Sequence, residues 1–357
     1  MGGEPNRDSG STRCGGCDLA SEAVTKGQAG PWADEQIELL ERMLLIRHAE
    51  ARLAQTAKDV GLPGGVHLSI GQEASAVGVC SCLDVDDWMT STHRGHGHFL
   101  AKGGEVDSMF AEIWGKSSGI CKGMGGSMHV ADFSRGIIGA NGIVGGGLAI
   151  ATGAALAAQL DGKGRAAVCF FGDGAANQGV FMESMNVSSI WKLPTIFVCE
   201  NNGLSEFTVS STVTAGKLSD RARAFGMPVE VVDGNDVRAV RSAAKAAVER
   251  CRRGEGPSYI ETVTYRIHGH LEAEDLILAG GSYRTAAEID AWRAEDRDPV
   301  SRFRALLAEE GICGADRFAE LDQRAKEKVD AAVTFAEAGE PADTKLVFEL
   351  MFVEPKA

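Results

Sequence analysis

The sequence predicts an α/β protein, a parallel sheet sandwiched by helices and followed by a helical C-terminal extension. Three observations carry this expectation. Short apolar runs such as 167–171 and 195–199 read as buried strands, and helical spacing fills the gaps between them. Residues 170–202 form a complete strand–turn–helix–strand unit, with 26 residues (175–200) separating Gly174 from Asn201. That length holds a turn, about four helical turns and a short strand. Beyond Arg284 the pattern stays helical to about residue 337.

From the N-terminal side, residues 34–58 make a charged amphipathic helix with Leu39, Leu40, Met43 and Leu44 on its apolar side. A glycine-rich turn at 61–65 leads to His67, and a helix follows over 72–82. Residues 88–92 read as a strand end that delivers His93 and Arg94, 105–114 as a helix, and 115–147 as largely loop. Residues 136–160 carry no formal charge, but they include seven glycines, so half of the stretch must be loop. A lipid-exposed loop would leave backbone groups unpaired, which argues against a membrane span. The reading is a ligand-approaching glycine loop, then a buried helix of small residues over about 148–160, where Gly153 and Ala157 allow close helix contact, within the chain or across a subunit interface. Further on come a strand at 229–232, an amphipathic helix at 236–253 stopped by Gly254, and a strand at 259–267. The expected division is a disordered tail (1–30), an α/β domain (31–296) and the helical extension (297–357), without internal repeats.

The formal net charge of −14 and the lack of a basic run make nucleic acid and anionic membranes poor partners. The balance fits a soluble cytoplasmic protein and favours a basic partner surface. The nine cysteines are odd in number and sit mostly singly in apolar segments, as reduced buried thiols do. Cys14 and Cys17 have the spacing of half a zinc site or a redox pair, but no second pair has ligand spacing. Residues 1–30 lack an apolar block, and Glu4, Asp8, Asp18 and Glu22 argue against a transit peptide. Asn6 stands where a myristoylation motif wants Ser or Thr.

The chemistry concentrates on Gly172-Asp173-Gly174. A nicotinamide fingerprint fits poorly, because Asn177 occupies the third glycine position. Asp173 would face the phosphates, and a bare carboxylate beside a diphosphate is repulsive, so a cation must lie between them. Mg²⁺ takes about six oxygens, typically from one or two protein groups, phosphates and water. Asp173, the Asn202 side chain and a backbone carbonyl just after it meet that need. A lone Gly-Asp-Gly could equally be a helix-capping turn; the spacing to the paired asparagines favours the metal. Seven of the eight histidines lie in motif segments. His67, His93 and His270 each follow a strand or turn that reaches one sheet edge, whereas His96, His98 and His129 could equally be ordinary core or surface residues.

Together these residues resemble the thiamin-diphosphate motif. The resemblance narrows to the alpha subunit of 2-oxo-acid and acetoin dehydrogenase complexes. It rests on His67-Leu-Ser-Ile-Gly-Gln-Glu-Ala74, Ser91-Thr-His-Arg-Gly-His-Gly-His98, Gly123-Met-Gly-Gly-Ser-Met-His129, Gly139-Ala-Asn-Gly-Ile-Val-Gly145, Tyr265-Arg-Ile-His-Gly-His270 and Tyr283-Arg-Thr-Ala-Ala-Glu-Ile289. It covers about residues 32–350 and implies a thiamin-diphosphate-binding fold, of which this chain supplies the diphosphate half. It places His93, Arg94 and Arg266 around the diphosphate, with Gly174 and Ala175 also on the cofactor. Gly142 and Val144 fall by the aminopyrimidine, and His67 and His270 near the reactive thiazolium as catalytic residues. Asp173, Asn202 and the Leu204 carbonyl hold Mg²⁺. Two departures stand out: some branches have Tyr in place of His93, and many members have Tyr where Leu204 stands, so any tyrosine packing role is lost.

The resemblance further implies a beta subunit that supplies the pyrimidine-activating glutamate, an α₂β₂ assembly, and a lipoyl acyltransferase partner. Acetoin is the expected substrate, cleaved to acetaldehyde with a hydroxyethyl unit left on the cofactor for oxidative transfer to lipoamide. His270 or a beta-chain counterpart would remove the hydroxyl proton. Pyruvate or a branched-chain 2-oxo acid, with loss of CO₂, remains the alternative. Leu271 and Glu272 stand in place of the serine-rich loop of the oxo-acid members. Glu272, Glu274 and Asp275, if they lie at the site, would oppose a substrate carboxylate and raise the pKa of His270; otherwise they solvate an exposed loop. A hydride-transfer enzyme or a silent scaffold subunit is the reading from a different class.

Overall fold

The computed structural model describes residues 30–351 apart from positions 60, 273 and 280. The tail expected over 1–30, with Cys14 and Cys17, lies outside the described residues except for Gly30. Helix α1 (Pro31–Asp59) starts on a proline whose fixed φ suits a first turn, and it buries Leu39, Leu40, Met43 and Leu44 as their spacing predicts. Helix α2 (Glu73–Cys80) is buried on all sides and therefore shows no polar face. Strand β1 (Trp88–Thr90) ends sooner than expected and opens directly into the turn before α3 (Gly95–Ala101). After α4 (Val106–Ile113) the glycine-rich segment is mostly loop, interrupted by the short strand β2 (Ile137–Gly139). Helix α5 (Gly146–Asp161) follows.

The central unit is β3 (Ala167–Gly172), α6 (Gly179–Trp191) and β4 (Thr195–Asn201). A two-stranded hairpin comes next, β5 (Leu204–Ser205) with β6 (Thr208–Val209), then α7 (Leu218–Arg223) and β7 (Val229–Asp233). Asp236 caps α8 (Val237–Arg252) by accepting from the backbone N–H groups of Arg238 and Ala239. Gly254 ends that helix at φ +70°. Strand β8 (Ser258–Val263) is shorter than its apolar run, because the chain then leaves the sheet and Ile267 N–H donates to the Ile70 carbonyl at 3.0 Å. The remainder is helical: α9 (Glu274–Leu278), α10 (Ala286–Arg293), α11 (Pro299–Glu309), α12 (Ala315–Ala338) and α13 (Leu346–Met351).

Six strands form one parallel sheet in the order β2-β1-β3-β4-β8-β7. Strand periodicity divides its side chains between two cores. Val168, Phe170, Ile196, Val198 and Ile260 face the layer that holds α1, α2, α8, α11 and α12. Cys169, Phe171, Phe197, Cys199 and Tyr259 face α5, α6 and α7. The C-terminal helices share the first core, since Val300, Phe303, Leu307, Leu321, Val329 and Ala332 belong to it.

The expectation of a buried 148–160 helix holds within the chain for one face only. In this chain Leu148, Ala151, Ala155 and Ala158 are buried, while Ala149, Ile150, Gly153, Ala157 and Leu160 are exposed. The residues carry no charge on either side, so composition alone did not separate the covered face from the open one. The chain runs outward from β1 to β2 in one direction and from β3 to β4 in the other. That reversal opens a crevice at the carboxyl ends of β1 and β3, where open parallel sheets take their ligands.

Candidate active site

A cavity of about 340 Å³ occupies this crevice, and every site residue named in the sequence analysis lines it. β1 leads into His93 and Arg94, and β3 into Asp173. Neighbouring β4 leads into Asn202, in register through the Gly172–Glu200 pair. His67 and His270 come from two loops that run together: Glu272 N–H donates to the Val66 carbonyl at 2.9 Å, beside the Ile267–Ile70 bond. The rings of His67 and His93 lie 4.8 Å apart, and those of His67 and His270 4.9 Å.

Two guanidinium groups lie against this cluster. Arg94, buried, donates to the Leu68 carbonyl at 2.9 Å and to Nδ1 of His270 at 3.0 Å. Arg266, fully buried, reaches the same Nδ1 at 3.3 Å and also donates to the Glu206 carbonyl and the Tyr283 hydroxyl. With Nδ1 accepting from both cations, the proton of neutral His270 belongs on Nε2, which faces Glu206 at 3.9 Å. Among the described residues neither guanidinium pairs with a carboxylate. Burial and Arg266 pull Arg94 down to about 9. Burial, then Arg94, lowers His67 to about 4, His93 to about 2 and His270 to about 3. All three imidazoles are therefore neutral at pH 7.

This result corrects the expectation that nearby acids raise His270. The Glu272 and Glu274 carboxylates are engaged elsewhere. Glu274 accepts from the His270 backbone N–H and from the Tyr283 hydroxyl, and Glu272 pairs with His268 Nδ1 at 3.1 Å. The imidazole meets guanidinium groups instead.

Asp173 is buried, with one oxygen accepting from the Ser210 hydroxyl and Oδ1 unpartnered. Burial pushes its pKa up. Gly174 beside it has no room for a side chain, since a Cβ would fall 2.4 Å from the Ser205 hydroxyl. Asn202 Oδ1 accepts from Leu204 N–H at 3.1 Å and retains a second lone pair. Its neighbour Asn201 is spent on structure, donating to Glu261 at 2.8 Å and accepting from Gly203 N–H.

Five buried polar atoms without partners belong to residues that line this cavity: His67 Nδ1, Gln72 Oε1, His93 Nε2, Asp173 Oδ1 and Arg266 Nε. Orphaned polar groups are costly in a folded interior, so their convergence marks a site completed by a ligand. Two cations and a lone carboxylate in one cavity suit a polyanion bridged by a metal ion. Thiamin diphosphate with Mg²⁺ fits that donor set.

The open cases among the histidines divide. His96 is fully buried, between Ser127 at 2.9 Å and Glu50 at 3.4 Å. His98 stacks on Phe170 at 3.8 Å and bonds Ser91 and Glu200. His129 is exposed and reaches the site only through the backbone of Gly142. Sequence reasoning missed Gln72, Glu200, Ser210 and Tyr283. Glu200 precedes Asn201-Asn202 directly and Tyr283 opens a motif, so both had a signal. Ser210 lies 37 residues from Asp173 and had none.

Sheet-edge cavity, guanidinium pair and orphaned carboxylate define an α/β enzyme built for a phosphorylated cofactor. The chain belongs to the dehydrogenase E1 component family, whose model matches residues 41–345. Membership makes it a thiamin-diphosphate-dependent oxidoreductase. It is 44% identical over 319 residues, 89% of this chain and 93% of the relative, to the alpha subunit of acetoin:2,6-dichlorophenolindophenol oxidoreductase of Bacillus subtilis. The subunit of the same name from Cupriavidus necator is 42% identical over 85% of this chain and 89% of its own length. The pyruvate dehydrogenase E1 component subunit alpha of Rhizobium meliloti is 36% identical over 88% and 89% of the two chains. Among the described residues no helix is long and apolar enough to cross a membrane.

Proposed function

We propose that this chain is the alpha subunit of an acetoin dehydrogenase that works with thiamin diphosphate and Mg²⁺. The observation that carries the reading is the cavity that Arg94, Arg266 and Asp173, with its unpartnered Oδ1, line together, in a chain 44% identical to an acetoin oxidoreductase alpha subunit. Asp173, the Asn202 amide oxygen and the Leu204 carbonyl would hold the metal. Arg94, Arg266 and His93 would bind the diphosphate, next to Gly174 and Ala175. Gly142 and Val144 would wall the aminopyrimidine.

When bound, thiamin diphosphate supplies a nucleophilic carbon and an electron sink for cleavage beside a carbonyl. His67, neutral and with Nδ1 unpartnered, would take the proton of the substrate hydroxyl, while neutral His270, whose Nδ1 is held by the two guanidinium groups, would offer its Nε2–H as a donor beside it. A polyanion against Arg94 and Arg266 cancels the charge that helps to depress these imidazoles, which raises their basicity when the cofactor is present.

A beta subunit would supply the glutamate for the pyrimidine, in an α₂β₂ assembly that passes the two-carbon unit to a lipoyl acyltransferase. All seven described cysteines are free thiols, which supports a cytoplasmic setting. A 2-oxo acid as substrate is the second reading, favoured by the 36% identity to a pyruvate dehydrogenase subunit. The deciding experiment co-expresses the chain with its beta subunit and follows dichlorophenolindophenol reduction. Acetoin should support turnover at least about tenfold faster than pyruvate or branched-chain oxo acids; the reverse order would assign the second reading.

A further inference from the structure

Glu112, in the last turn of α4, is fully buried and makes no ion pair among the described residues. Its carboxylate instead accepts four backbone N–H groups from the glycine-rich loop that follows. Oε2 takes Cys121 at 2.8 Å and Gly123 at 2.7 Å, and Oε1 takes Gly125 at 2.6 Å and Gly126 at 3.1 Å. Such a ring of amides around an anion is an internal version of the anion nests formed by successive N–H groups. The loop is shaped for it. A Cβ at Gly119 would sit 2.4 Å from Glu112 Oε2, and one at Gly125 would sit 2.6 Å from the His129 carbonyl.

The loop then hands its position on. His96 Nε2 meets the carbonyl and hydroxyl of Ser127, at 3.1 and 2.9 Å. His129 Nδ1 lies 3.2 Å from the Gly125 carbonyl, so Nδ1 carries the proton and Nε2 is left as an acceptor. That acceptor takes the N–H of Gly142, at 3.4 Å, on the wall of the cavity. A continuous path therefore runs from a buried carboxylate through one loop to the backbone of a second.

We propose that Glu112 is a positioning residue for the cofactor: its carboxylate holds the 121–126 loop, and through Gly125 and His129 it sets the Gly142 segment of the cavity. The proposal rests on the reading of that segment as the aminopyrimidine wall. Glu112→Gln removes the charge and turns an amide N–H₂ toward N–H donors, so the nest loses acceptors while side-chain volume is kept.

The test uses the chain co-expressed with its beta subunit, by fluorescence titration with thiamin diphosphate at fixed Mg²⁺ and by amide hydrogen exchange of the cofactor-free complex. Glu112→Gln should raise the dissociation constant roughly 10- to 100-fold, the usual range for losing a group that orients a ligand-binding residue. Exchange should accelerate at 121–126 and also at Gly142. His129→Gln, at an exposed position, keeps the test open should the first variant fail to fold. It should weaken binding and free Gly142 while 121–126 stay protected, and the double variant should add little to Glu112→Gln alone. Wild-type affinity in both variants, or unchanged exchange at Gly142, overturns the proposal. A wild-type complex that binds no thiamin diphosphate overturns the cofactor reading instead, and exchange at Gly142 then still decides the positioning.

Discussion

As the proposed metal ligand, Asp173 would trade stability for binding. Its pKa is raised by burial, so the ionised form is disfavoured in the folded chain relative to the unfolded one. At any pH above both values, that difference counts against folding. Asp173→Asn removes the charge, and its side-chain carbonyl can still accept from Ser210. The variant should melt at a higher temperature than wild type without cofactor, yet lose metal-dependent thiamin diphosphate binding by about 100-fold. Differential scanning fluorimetry with and without Mg²⁺ reads both effects, and a variant with lower Tm and intact binding would contradict the assignment. The residue was legible in the sequence because its carboxylate sits between glycines at a strand end. Its partner Ser210 was not, since nothing local ties position 210 to 173.

At the scale of elements, the crossing of two loops brings His67 to His270. Gly71 sits at that crossing with φ +100°, and a Cβ there would fall 2.5 Å from the Tyr265 carbonyl and 2.9 Å from Ile267. Thr264 also donates its hydroxyl to the Gly71 carbonyl at 3.1 Å. Gly71→Ala therefore combines backbone strain with a clash against main chain, at a cost of roughly 2–3 kcal/mol. Urea unfolding should show that loss, with activity falling further than stability because the two histidines separate. A neutral substitution would mean that the loops part without consequence. Helix and strand positions were readable from periodicity, and errors fell at ends: β8 stops at Val263 because, after one last bond from Thr264 N–H to the Asn201 carbonyl, the chain turns to the 66–71 loop, where Ile267 N–H meets Ile70. For α5 the sequence did not say which face the chain itself covers, since uncharged small residues read the same on a covered and an open face.

The whole molecule feels the cavity through its charge. Three imidazoles with ordinary values near 6.5 are lowered to about 4, 2 and 3 in the fold, by burial first and Arg94 second. Between about 6.5 and 4 the unfolded chain takes up protons on these groups while the folded chain does not. Stability is therefore present above about 6.5 and lost as pH falls through that window. Asp87 and Asp173, raised by burial, act in the opposite sense at lower pH. Thermal melts from pH 7.5 to 5 should show a steeper decline for the wild-type chain than for a His67→Asn/His93→Gln variant. Parallel curves would show that these rings titrate normally in the fold. A bound polyanion should flatten the wild-type slope, because it replaces the repulsion from Arg94 and Arg266 with attraction.

By itself the sequence determined the alternation of strands and helices, the family, and a set of residues that line one cavity, because periodicity and strand-end motifs are local and survive in one dimension. Only the tertiary structure decided the state of those residues. The acids after His270 looked as though they should raise its pKa, yet the Glu272 and Glu274 carboxylates turn to His268, to Tyr283 and to a backbone amide, and two arginines, one of them 176 residues away in the chain, take the imidazole instead. Electrostatic environment is set by what lies within a few ångströms in space, and position along the chain does not encode it.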